Sequence, residues 1–184
     1  IKMLSVGSNQ ERLGISITSS NRYPVFEDVN TIMGDFTSII PFAANTNTEK
    51  LFENWVAEIQ DQLFEGLEHC TYDGVTFLRE LAKSKQQFTE AMLPIVFTSM
   101  IESNHNNWKL FGEIEECITR TPQVLLDCQL SEFNGNLHIA WDYVDEYFDE
   151  YIIESMFEQY IELIQKLISN NDLSFADFGA TEKE

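Results

Sequence analysis

The stretch Thr121-Pro122-Gln123-Val124-Leu125-Leu126-Asp127-Cys128-Gln129 reads as a strand, with side chains alternating between two faces. Pro122, Val124, Leu126 and Cys128 fall on one face. Thr121, Gln123, Leu125, Asp127 and Gln129 fall on the other. One face is therefore apolar. The other offers a hydroxyl, two carboxamides and a carboxylate, and either meets solvent or lines a polar cavity. Asn134-Gly135 follows between alternating segments, a strong hairpin signal. The return strand carries Leu137, Ile139 and Trp141 against His138, Ala140 and Asp142. Pairing of the two strands brings Asp142 towards the Thr121 and Gln123 end. A hydroxyl beside a carboxylate can relay protons or anchor a substrate amide. Ordinary polar residues on a wetted sheet face would show the same pattern.

Other chemistries leave no trace. His69, His105 and His138 are scattered, and none has metal-ligand spacing to another His, Cys or acid. There is no HHxxxDG string, phosphate-binding Gly-rich loop, GxSxG elbow or HExxH motif. Cys70, Cys117 and Cys128 form no CxxC pair, and an odd count without a framework fits a reducing, cytoplasmic setting.

The elements that must position these residues follow from periodicity. Leu13 to Ser19 alternates as a strand, and Asn21 to Pro24 breaks it. Val25 to Met33 reads as a short helix or turn before Gly34. Phe36 to Phe42 reads as a second strand, stopped at or just after Pro41. Thr48 is a candidate cap for a helix with Phe52, Trp55, Val56, Ile59 and Leu63 inward. A second helix spans about Val75 to Ser84. Pro94 to Met100 is an apolar strand, Ser103 to Asn107 a polar loop, and Glu113 to Cys117 acidic and irregular. Asp149 caps a final helix from about Glu150 to Ile168, with Ile152, Met156, Tyr160, Ile161, Ile164, Leu167 and Ile168 as its buried stripe. Tyr143, Tyr147, Phe148 and Tyr151 are expected to pack that helix onto the sheet. The fold class is α/β (α+β): a two-layer sandwich of one mixed sheet and its helices. Residues 1–169 form the folded unit, and 170–184 an acidic tail or linker.

The chain has 184 residues, and 11 Lys and Arg against 31 Asp and Glu give a net charge of −20. Such a charge repels phosphate backbones and anionic lipid, so neither nucleic acid nor membrane is an expected partner. No apolar run approaches the roughly 20 residues needed to span a bilayer. The start at Ile1-Lys2-Met3 suggests a piece of something longer.

Four strings in order carry a resemblance. They are Leu13-Gly14-Ile15-Ser16-Ile17-Thr18 through Asn21-Arg22, Gly34-Asp35-Phe36-Thr37-Ser38, Pro94-Ile95-Val96-Phe97-Thr98-Ser99, and Thr121 to Gln129. Together they resemble the later motifs of heterocyclization domains, in the condensation-domain superfamily of nonribosomal peptide synthetases. The agreement covers residues 13 to 168. The resemblance implies a chloramphenicol-acetyltransferase-like lobe, the C-terminal one of two that enclose a tunnel. Carrier proteins would bring substrates on phosphopantetheine arms, with no cofactor bound directly. The N-terminal lobe and an adjacent adenylation domain are the other implied partners.

The implied reaction joins an acyl or peptidyl donor to Cys, Ser or Thr, then closes the side chain onto the new amide to give a thiazoline or oxazoline. The resemblance assigns ring closure to Thr121 and a downstream Asp, taken as Asp142 with Asp127 its competitor. Gln123, Asp127, Gln129, Asp35, Thr37 and Ser99 are the implied substrate-binding residues. Thr119-Arg120 stands where the family more often has Ser-Gln. The family's DxxxxD motif belongs to the other lobe, and Asp145 and Asp149 do not form it, so the isolated lobe is expected to be inactive. The alternatives are a non-catalytic carrier-binding lobe and the C-terminal lobe of an ordinary condensation or epimerization domain.

Overall fold

The computed structural model describes residues 1–46, 50–86, 91–101, 112, 118–133 and 135–169. The elements run α1 (Lys2–Ser8), β1 (Arg12–Ser20), a 3₁₀ turn (Val29–Thr31), β2 (Thr37–Asn45), α2 (Phe52–Glu68), α3 (Gly74–Lys85), β3 (Ile95–Met100), β4 (Leu126–Phe133), β5 (Asn136–Tyr143) and α4 (Glu150–Ser169). Helix α1 has no counterpart in the sequence reading. The Thr48 cap, the loop at 103–107, the acidic stretch at 113–117 and the tail at 170–184 lie outside the described residues.

The strands form one mixed sheet in the order β2-β1-β3-β4-β5. The outer pairs, β1 with β2 and β4 with β5, are antiparallel. The inner pairs, β1 with β3 and β3 with β4, are parallel. Parallel pairing needs a long crossover, and α2 and α3 supply it between β1 and β3. Pro41 does not end β2, which runs on to Asn45. Proline is tolerated because β2 is an edge strand, where a missing N–H removes no ladder bond on the open side. Across the far hairpin Phe133 pairs with Asn136, and Gly135 takes φ 76° as a tight turn requires.

Alternation divides the sheet into two unlike faces. Ile15, Phe42 and Ala44 are buried on one face, with Ile17, Ile95 and Phe97 beside them. Trp55, Ile59 and Leu63 of α2 and Ile1 and Leu4 at the α1 end pack there. Farther along, Trp141 meets Phe157 edge-on at 5.4 Å and stacks on Tyr160 at 5.6 Å, which seats α4. Asp149 caps α4, accepting from the Ile152 N–H at 3.2 Å. Asp73 caps α3, accepting from the Val75 and Thr76 N–H groups.

Three expectations about helix faces change. Ile153 is the buried residue at the start of α4, at 2% exposure, whereas Ile152 is 56% exposed. The stripe runs through Ile153, Met156, Phe157 and Tyr160, and Ile168 at its end is open to solvent. Val56 turns outward from α2. Of the aromatic group, Tyr143 and Phe148 pack together, while Tyr147 and Tyr151 are exposed; Trp141 does the work assigned to them.

Gly74 opens α3 at its closest approach to the sheet. A β-carbon there would stand 2.0 Å from the Ile39 carbonyl oxygen, which belongs to the backbone and cannot rotate away. Gly74→Ala is therefore expected to destabilise the chain by about 1–3 kcal/mol, the usual range for forced overpacking. Urea unfolding of both forms, read by circular dichroism, checks this; an unchanged midpoint would refute the close approach.

Candidate functional site

The second face of the sheet is polar where the strands meet at its centre. Ser16 and Thr18 of β1, Thr37 and Ile39 of β2, Val96 and Thr98 of β3 and Asp127 of β4 floor a cavity of about 650 Å³. One wall is α3, through Val75, Leu78, Arg79, Ala82 and Lys83. The opposite wall is the segment from Thr119 to Val124.

That segment is not a strand. The expectation that Thr121 to Gln129 is one continuous strand is corrected here, because β4 begins only at Leu126. Thr121 to Val124 is a β-turn, closed by the Val124 N–H donating to the Thr121 carbonyl at 3.1 Å. Pro122 sits at its second position, and Gln123 at its third has φ 69°. Proline followed by a positive φ is the signature of a type II turn. Gln123 pays a steric cost there that Gly or Asn would avoid. The turn folds the preceding residues back over the polar face, so Thr119 arrives above β4.

Thr119 is the residue that sequence reasoning passed over as a site. Its hydroxyl lies 2.6 Å from Asp127 Oδ2 and 3.0 Å from Asp142 Oδ2. Its backbone N–H donates to Asp142 Oδ2 at 2.9 Å. Gln129 Nε2 donates to Asp142 Oδ2 and to Thr119 Oγ1, both at 3.0 Å, and lies 3.3 Å from Asp127 Oδ2. A hydroxyl has one proton to give. Asp142 Oδ2 already receives the Thr119 N–H and the Gln129 amide, so the shorter contact marks Asp127 as the acceptor of the hydroxyl. Asp127 and Asp142 are register partners across β4 and β5, which is why one hydroxyl reaches both. The signal for Thr119 was its type, shared with Thr121. Its eight-residue separation from Asp127 gave no hint of contact until the turn was known.

The two carboxylates differ in access. Asp127 borders the cavity, and its Oδ1 is buried with no hydrogen-bond partner among the described residues. Asp142 is not among the cavity-lining residues. Its Oδ2 holds Thr119 in place.

The remaining expected site residues separate. Thr121, Gln123 and Thr37 line the cavity together with Asp127, and Gln129 joins the hydrogen-bond network. Asp35 is exposed and does not line it. Its carboxylate accepts the Thr37 N–H at 2.9 Å, and that bond holds its pKa below the ordinary value. Ser99 belongs with Ile95 and Phe97 in the β3 alternation, the opposite face from Val96 and Thr98 in the cavity. Among the described residues no group of His, Cys, Asp and Glu could hold a metal ion. No described helix is long and apolar enough to cross a membrane.

Cys128 points to the apolar face, one residue from Asp127. Burial pushes its thiol pKa up to about 12. Since the thiolate is the nucleophile, Cys128 is expected to resist iodoacetamide at pH 8 and to react once the chain is unfolded in urea. Peptide mapping by mass spectrometry reads this directly; alkylation of Cys128 in the folded chain at rates typical of a free thiol would contradict its burial.

The sequence profile of the Condensation domain matches residues 2–184. The chain is 41% identical over 178 residues to bacitracin synthase 1 of Bacillus licheniformis, covering 94% of this chain and 3% of that protein. It is 34% identical over 174 residues to the pyochelin synthetase PchF of Pseudomonas aeruginosa strain UCBPP-PA14, covering 91% and 9%. The EpoB cyclization-docking bidomain of a nonribosomal peptide synthetase from Sorangium cellulosum superposes with a TM-score of 0.73 at 34% identity, over 90% of this chain and 35% of that one. The synthetase FmoA3 superposes at 0.82 and 25% identity, over 92% and 19%. The chain thus spans a small fraction of the curated relatives it matches. The fold is the chloramphenicol-acetyltransferase-like one of these condensation domains.

Proposed function

This chain belongs to the condensation-domain family, and from that premise we propose that it is the C-terminal lobe of a heterocyclization domain. Similarity to a pyochelin synthetase, to a phenyloxazoline synthase of Mycobacterium tuberculosis strain H37Rv (28% identical over 144 residues) and to a cyclization bidomain supports the heterocyclizing branch over an ordinary condensation or epimerization domain. In this reading the intact domain joins a carrier-bound donor to Cys, Ser or Thr and closes the ring. The cavity floor and the Thr119–Val124 wall form one side of the tunnel, and the N-terminal lobe forms the other. Substrates come on the phosphopantetheine arms of carrier proteins, with an adenylation domain nearby to load them. The lobe alone lacks half of its tunnel and is inactive.

The observation that carries the proposal is the Thr119–Asp127 pair at the cavity, with Asp127 Oδ1 unpartnered among the described residues. Ring closure starts when the side-chain sulfur or oxygen attacks the amide carbonyl carbon. The new C–S or C–O bond turns the carbonyl oxygen into a hydroxyl, which takes up the proton the heteroatom loses. That hydroxyl then leaves as water, the amide N–H gives up its proton, and a C=N bond forms. Two protons must move between the heteroatom, the nitrogen and the departing oxygen. Asp127, reached through the hydroxyl of the cavity-lining Thr119, can pass the heteroatom proton to the carbonyl oxygen and then the amide N–H proton to the leaving hydroxyl. Thr119 orients Asp127 through its hydroxyl and presents an oxygen of its own. Asp142 and Gln129 are positioning residues that hold Thr119. Thr121 and Gln123 shape the wall on which the substrate amide rests. No covalent enzyme intermediate is needed, and holding the reacting groups close supplies much of the rate.

In the parent synthetase, Asp127→Asn and Thr119→Val are expected to lower heterocycle formation by about 100-fold, the scale of one general acid–base group. Amide formation should fall far less, so uncyclised product accumulates. Asp142→Asn and Thr121→Ala should show the same pattern more weakly. Mass spectrometry of product released from the carrier gives the ratio of open to closed product. An unchanged ratio in Asp127→Asn and Thr119→Val would exclude this assignment.

A further inference from the structure

Arg79 and Lys83 line the same cavity and have no role in the chemistry above. They stand one turn apart on α3 and share its cavity-facing side with Val75, Leu78 and Ala82. In a chain with 31 acidic and 11 basic residues, most cations have a carboxylate to choose from. Yet among the described residues neither Arg79 nor Lys83 forms an ion pair; Lys50 does, with Glu58. Both are exposed at the rim, so they keep their charge and remain open to an incoming anion. Asp127 is the one carboxylate on the described cavity lining.

The two charges stand at different ends. Helix α3 packs on β2, whereas Asp127 is on β4, three strand spacings away in the order β2-β1-β3-β4. At about 4.8 Å per spacing the cavity is about 14 Å across in that direction. Between the ends lie the hydroxyls of Ser16, Thr18 and Thr98 and the apolar side of α3. This geometry fits a long, thin ligand with an anion at one end, amides and methylenes in the middle, and a reacting carbonyl at the other end.

We propose that Arg79 and Lys83 hold the phosphate of the phosphopantetheine arm as it enters, with the thioester end at Thr119 and Asp127. This rests on the carrier-delivery reading above. The phosphate is the arm's only charge, and the chain's net charge of −20 would otherwise repel it. Arginine offers a planar fork to two phosphate oxygens, and lysine adds a point charge one turn away. Both act as specificity residues for the arm and take no part in bond making.

The test compares two thioesters of the same donor in the intact domain: one on phosphopantetheine, one on N-acetylcysteamine, which has no phosphate. Arg79→Gln with Lys83→Gln should raise KM for the phosphopantetheine thioester about tenfold with kcat unchanged, and leave the N-acetylcysteamine thioester unaffected. Arg79→Lys alone should retain most of the preference, and salt should weaken it in the wild type. Equal losses on both thioesters, or none on either, would overturn the proposal. Binding gives a readout free of turnover: by NMR titration, wild-type protein should bind phosphopantetheine more tightly than pantetheine. Equal affinities would reject the phosphate site while leaving the heterocyclization reading standing. A clear phosphate preference in a domain that makes amide but no ring would do the reverse.

Discussion

Asp127 and Asp142 face each other across neighbouring strands, and like charges directly opposite one another destabilise a sheet. Donors must therefore be brought between them. Gln129 provides one to Asp142 from the same face of β4, two residues beyond Asp127. The others, the N–H and hydroxyl of Thr119, come from outside the sheet. That requirement explains the Thr121–Val124 turn. Proline and a left-handed Gln123 reverse the chain just before β4, so that Thr119 hangs over the pair instead of extending the strand. The site is the by-product of satisfying two carboxylates that register forces together.

The asymmetry of the sheet depends on the same arrangement. Its apolar face is sealed by α2, by α1 and by α4 seated on Trp141. Among the described residues its polar face carries α3 at the β2 side and the turn at the β4 side, with the cavity between. Between α3 and the turn, the described polar strand centres floor the cavity. Such a surface suits a wall of a shared tunnel, because ligand can slide along hydroxyls and one carboxylate without crossing packed side chains.

Much of the fold was legible in the chain. Alternation at Leu13 to Ser19, the Asn134-Gly135 turn and the three- and four-residue spacing of Trp55, Ile59 and Leu63 each name an element locally. So does Asp149 before α4. What failed were statements about neighbours. Ile152 and Ile153 both suit a helix, and only the position of Trp141 selects which one is buried. Pro41 reads as a stop until β2 is known to be an edge. Ser99 shares a motif with Thr98 but not a face.

The sequence by itself determined the residue types of the site and the strands that carry most of them. Alternation put Asp127 and Gln129 on one face, and the hairpin made Asp142 their neighbour, because both effects are set within a few bonds of the residues concerned. Only the tertiary structure decided which threonine meets the carboxylates and which carboxylate faces the cavity. The chain reversal at Pro122 and Gln123 moves Thr121 to the wall and Thr119 to the network. Donors arriving from that reversal engage Asp142 and Asp127 Oδ2, and leave Asp127 Oδ1 without a partner among the described residues. The pairing of Arg79 and Lys83 with the same cavity was likewise beyond reach, since α3 meets β4 only through the order of the strands between them.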